Sequence, residues 1–88
     1  RMQLKTAKLV FDIGQDYGAP DTVGSFNRWF FESDEGDAIL AISGDSVSMF
    51  IKSSNNTWKS TVSSNASDVS RNEISDFLKK INARAITK

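Results

Sequence analysis

Carboxylates are the side chains on which any chemistry in this chain would have to rest. Histidine and cysteine are both absent, which removes the commonest general base, the commonest zinc ligands and the thiol nucleophile. A serine nucleophile needs a base beside it, and no Gly-x-Ser-x-Gly turn that would present one occurs. Asp34, Glu35 and Asp37 crowd around Gly36. Glycoside hydrolysis asks for two carboxyls about 5–10 Å apart across a cleft, one of them kept protonated by burial. A stretch that reads as a solvated hairpin tip supplies neither, and its spacing is not that of an EF-hand loop. Asp12, Asp16 and Asp21, around the first loop, offer no better site. Gly14-Gln15-Asp16-Tyr17-Gly18 lacks the Lys-Ser/Thr ending of a phosphate-binding loop, and its acid repels phosphate. No enzymatic activity, no cofactor and no metal are expected.

Binding is what remains. Protein contacts are anchored by aromatic residues and arginine, and Arg28, Trp29, Phe30 and Phe50 are the candidates of those types. Lys52 and Lys59 stand near Phe50 in the expected sheet register, as does Ile39. Together these seven residues form the candidate partner-binding set. Net charge is zero, yet residues 12–45 hold eight acids against Arg28 alone, and the basic residues gather towards the C-terminal half. A single-stranded nucleic-acid site would combine Phe50 as a stacking platform with Lys52 and Lys59 on phosphates. A neutral chain with an acidic middle argues against that reading.

The elements that must position these residues follow from periodicity. Ala7, Leu9, Phe11 and Ile13 alternate with Lys8, Val10 and Asp12, which predicts a first strand. Gly14 to Gly24, dense in Gly, Pro and Asp, predicts a long loop. Phe26–Glu32, Ala38–Ser43, Ser46–Lys52 and Thr57–Ser63 predict four further strands. Gly44-Asp45 is a two-residue hairpin loop, and Ser53-Ser54-Asn55-Asn56 is taken as a four-residue one. These loops pair Ser43 with Ser46, Ile39 with Phe50, and Lys52 with Thr57, which places Phe50 beside Lys59. The rows Ile42–Val47–Val62, Leu40–Met49–Ser60 and Ala38–Ile51–Trp58 then face the core. Ser70-Arg71-Asn72-Glu73 is a capping box, with Val69 and Ile74 as its hydrophobic staple. Ile74, Phe77, Leu78, Ile81 and Ala85 predict an amphipathic helix from about Arg71 to Ala85.

The expected fold is α+β: one domain over residues 1–88, an antiparallel β-meander of four to five strands with one C-terminal amphipathic helix packed on one face. The expected function is a non-enzymatic protein-binding module: a small inhibitor, an immunity-type protein or an accessory protein that contacts a larger protein. Alternatives are a single-stranded nucleic-acid-binding domain using the open sheet face and a self-associating structural subunit, a homodimer in its simplest form. No apolar run is long enough to span a membrane, and Arg1 to Lys5 contain no apolar signal stretch, so a cytoplasmic location is expected.

Overall fold

The computed structural model describes residues 2–44, 46–65 and 71–86. It is an α+β domain in which an antiparallel sheet carries two helices on one face. The elements in chain order are α1 (Met2–Tyr17), β1 (Asp21–Val23), β2 (Phe26–Glu32), β3 (Ala38–Ser43), β4 (Ser46–Lys52), β5 (Trp58–Asn65), α2 (Arg71–Lys80) and β6 (Arg84–Ala85). The first five strands form a meander in the order β1-β2-β3-β4-β5. Strand β6 returns to β2 and takes up the same edge as β1, further along.

The segment expected to be the first strand is a helix, so the antiparallel meander is preceded by α1 as well as followed by α2. Residues 7–13 fit a period of two, but Leu9, Val10, Ile13 and Tyr17 also fit a helical face, and they are the residues that pack into or against the core. The helix ends where the chain signals it. Gly18 takes φ +89° and its amide bonds to the Gly14 carbonyl at 2.9 Å. Pro20 follows, as expected just past a helix terminus. Lys8 and Asp12 add an ion pair one turn apart, at 3.3 Å. The expected Gly14–Gly24 loop therefore resolves into a helix end, a short connection and β1.

Three of the expected strands, β2, β3 and β4, stand with the bounds expected of them, and β5 runs Trp58–Asn65 in place of Thr57–Ser63. The pairing of β3 with β4 also stands: Ser43 opposite Ser46, Leu40 opposite Met49, Ile39 opposite Phe50. Asp45, in that hairpin loop, lies outside the described residues. The register of β4 with β5 is corrected. Lys52 pairs with Trp58, not Thr57, and Phe50 pairs with Ser60, not Lys59. The cause is Asn56, which adopts φ 64° after a turn closed by its amide on the Ser53 carbonyl (3.0 Å). A type I turn followed by a left-handed residue makes a three-residue loop, so Ser53 faces Thr57 across a 2.8 Å amide-to-carbonyl bond. One residue of slip exchanges the faces of a strand. Trp58 moves to the side away from the helices and Lys59 to the side that bears them. A bulge between Met49 and Phe50 then brings Val62 opposite Met49.

Helix α2 forms where its stripe predicted, but it stops at Lys80 instead of reaching Ala85. Asn82 adopts φ 54°, its amide bonds to the Lys79 carbonyl (3.0 Å), and the Ala83 amide bonds to the Leu78 carbonyl (2.8 Å). That pair of bonds is a Schellman stop with Asn in the left-handed position. The chain turns there and feeds β6. Ser70 and Val69, and with them the capping box and staple, lie outside the described residues.

The core sits between the two helices and one face of the sheet. Trp29 and Phe31 from β2, Ala38, Leu40 and Ile42 from β3, and Val47 and Met49 from β4 meet Leu9 and Ile13 of α1 and Ile74 and Leu78 of α2. Tyr17 closes one end with its ring edge-on to Phe31, centroids 5.2 Å apart. Burial of this many large side chains, at about 1.5–3 kcal/mol each, is the main term stabilising the domain.

Candidate functional site

Alternation in the strands that build the core presents a second set of side chains on the opposite face. Cross-strand partners share a face, so the register reads that face row by row. One row is Phe30–Ile39–Phe50, continued by Ser60. The row above it is Asp21–Arg28–Ala41–Ser48, and above that Val23–Phe26–Ser43–Ser46. Below the apolar row lie the Arg84–Glu32 pair and the Lys52–Trp58 pair. No described element covers this side.

The result is an apolar belt running across the strands at mid-height. Phe30, Ile39 and Phe50 are half-buried by their neighbours. Val23, Phe26 and Trp58 stand out further, at 55%, 52% and 44% exposure. Polar groups on the face are largely engaged within the chain. Arg28 donates from Nη2 to Asp21 Oδ2 at 2.7 Å and lies over the Phe30 ring, 5.5 Å from its centroid. Lys52 Nζ stands 6.0 Å from the centre of the Trp58 ring. Cations over aromatic faces are attracted by the ring quadrupole.

The seven residues singled out from the sequence divide between the faces. Arg28, Phe30, Ile39, Phe50 and Lys52 share the open one. Trp29 lies on the other: it is 3% exposed, packs in the core and donates its indole N–H to the Gly18 carbonyl at 2.9 Å. Lys59 is paired with Ile51 and belongs to the helix-bearing face, though its side chain is exposed. Trp58, Phe26 and Val23 are members the sequence reading left out. Asn55-Asn56 was the available signal for Trp58, because Asn tolerates the left-handed conformation that shifts the register. Val23-Gly24-Ser25-Phe26 carried the same Gly-first two-residue loop signal that was read correctly at Gly44-Asp45.

A second concavity lies on the β2 edge. Strand β1 covers that edge as far as Arg28 and β6 resumes at Phe31, so a cleft of about 320 Å³ opens between them, walled by Tyr17, Pro20, Asp21, Arg28, Trp29 and Ile86. The Ile86 amide bonds to the Phe30 carbonyl at 2.8 Å and narrows it. Arg28 Nε is buried at its rim without a hydrogen-bond partner. Among the described residues no three acidic side chains converge to hold a metal ion, and no described helix is long and apolar enough to cross a membrane. Comparison with protein-family models, with curated proteins and with solved structures finds no match to the chain.

Proposed function

We propose that this chain is a non-enzymatic protein-binding module that docks through the open face of its sheet. The observation that carries the reading is the belt of Phe30, Ile39 and Phe50 crossing three central strands on the side that no described element covers. A contiguous apolar surface rimmed by polar groups marks an interaction site. The engagement of Arg28 with Asp21, and of Lys52 with Trp58, fits a face that meets protein.

Nucleic-acid binding through the same face is the weaker reading. It relied on Lys59 beside Phe50, and Lys59 belongs to the opposite face. Arg28 is offset by Asp21, and Glu32 stands at the end of the sheet. A phosphate backbone would meet no net positive surface there.

The test compares a tagged wild-type chain with a Phe30→Ser/Phe50→Ser variant as bait, each in lysate that also contains the untagged chain. A protein retained in stoichiometric amount by the wild type and lost by the variant supports the reading. Equal retention by both, or recovery of nucleic acid alone, overturns it.

A further inference from the structure

This inference rests on the open face being the docking surface, and it names what docks there. We infer that a second copy of this chain occupies the face, the two sheets packing against each other about a two-fold axis that runs along β3. Such an axis carries β2 of one copy over β4 of the other and leaves β3 facing itself. The register then decides which residues meet. Ile39 meets Ile39 of the second copy, and Phe30 meets Phe50 of the second copy. At the end of the sheet, Glu32 and Lys52 flank Asp37, whose carbonyl accepts the Lys52 amide at 2.8 Å, so Glu32 meets Lys52 of the second copy. Each unlike pair occurs twice, because a two-fold contact uses the same patch on both sides. Apolar belt falls on apolar belt and Glu32 on Lys52, while Arg84, the cross-strand partner of Glu32, comes over Trp58 of the second copy.

The extent of the face agrees with this occupant. Four strands about 4.8 Å apart and about 20 Å long, with the short β1 and β6 along the β2 edge, present roughly 500 Å² in projection. Side-chain relief raises the surface removed from two such faces to about 1,200 Å², the lower bound for specific stable contacts. Aligned sheets pack about 10 Å apart with their strands near-parallel, which this axis satisfies. The proposed axis lays Phe26 over Ser46 of the second copy. It also brings Asp37 up to its own counterpart, with Lys52 of each copy alongside. Asp37 is thus the repulsive element of the contact.

Sedimentation equilibrium of the purified chain between about 1 and 500 µM tests this. The wild type is expected to dimerise. Phe50→Asp, Glu32→Lys and Lys52→Glu should each weaken the dimer by about tenfold or more, and Glu32→Lys/Lys52→Glu together should restore it to within about threefold. Asp37→Asn should tighten it several-fold. Circular dichroism melts confirm that each variant is folded. A wild type that stays monomeric up to 500 µM overturns the inference, as does a dimer untouched by Phe50→Asp or one that the paired charge exchange fails to restore. A monomeric chain that nonetheless retains a different protein, and loses it in the Phe30→Ser/Phe50→Ser variant, overturns this inference and leaves the docking-face reading standing. Retention unaffected by that variant removes both.

Discussion

The two faces of the sheet are made from the same strands, yet they carry different kinds of residue to different ends. The helix-bearing face presents Trp29, Phe31, Leu40, Ile42, Val47 and Met49, every one of them nearly inaccessible. The open face presents aromatic and aliphatic residues mixed with Ser, Arg, Lys and Glu, half-buried or exposed. A strand needs only one apolar face to be held in a two-layer domain. Most of the stability comes from the first face, while the apolar belt on the second adds cross-strand contacts and stays partly exposed.

Paired substitutions at adjacent positions measure that division most directly. Leu40 and Ile39 are neighbours in β3 with side chains on opposite faces. Leu40→Ala should cost about 2–5 kcal/mol, because a fully buried side chain beside Met49 leaves a cavity in the core. Ile39→Ala should cost about 1 kcal/mol or less. Urea unfolding at low protein concentration reads both, and equal losses would break the distinction between the faces.

Gly36 comes next in expected size. It sits at φ +122° in the turn before β3, and a Cβ there would run into the Lys52 carbonyl. Gly36→Ala should therefore cost about 1–3 kcal/mol, from strain and from the displaced β4 end. A variant as stable as the wild type would show that the end of the open face is not fixed by this approach.

The two tryptophans sharpen the comparison without disturbing the fold. Trp29 is buried and Trp58 is exposed over Lys52. In dilute solution acrylamide should quench a fraction of the fluorescence that disappears in Trp58→Phe, and the remaining emission should be blue-shifted and protected. Quenching that persists in that variant would place Trp29 outside the core. The smallest effect concerns the stop of α2. Asn82→Gly relieves a left-handed conformation in a residue with a Cβ, and should raise stability by about 0.5–1 kcal/mol, visible as a small rise in midpoint temperature.

Much of this division was legible in the chain. The alternation in Ala38–Ser43 and Ser46–Lys52, joined by a two-residue loop, determines that Ile39 faces Phe50 and that Leu40 faces Met49. Those pairs define both faces. Three further parts were hidden for different reasons. Residues 7–13 satisfy both periods, and a short apolar run cannot choose between them. The choice is made by Gly18 and Pro20, which close a helix, and by packing of Leu9 and Ile13 against the sheet. The position of Trp58 depends on one backbone angle, at Asn56, and a one-residue error there transfers a whole strand segment to the wrong face. Trp29 was misjudged because β2 is aromatic at successive positions, Trp29, Phe30 and Phe31, so its pattern alone does not say which side is buried. The pairing of Trp29 with Leu40 decides it.

Strand β6 bears on how this sheet survives in a crowded cell. It contributes two residues, Arg84 and Ala85, to the margin of β2, far along the chain from Phe31 and Glu32 with which it pairs. Ordering a contact across so long a stretch of chain gains little local enthalpy for the chain entropy it removes. Segments of this kind fray first. When it frays, the outer backbone groups at the Phe31 end of β2 lose their cover, and an aromatic-rich strand becomes a template for pairing with other chains. Against this, the Ile86 amide bonds to the Phe30 carbonyl at 2.8 Å, and Arg84 Nη1, bonded to the Asn82 carbonyl at 2.9 Å, stands 3.8 Å from Asp34 Oδ1, so the cover of this margin rests on a few short contacts.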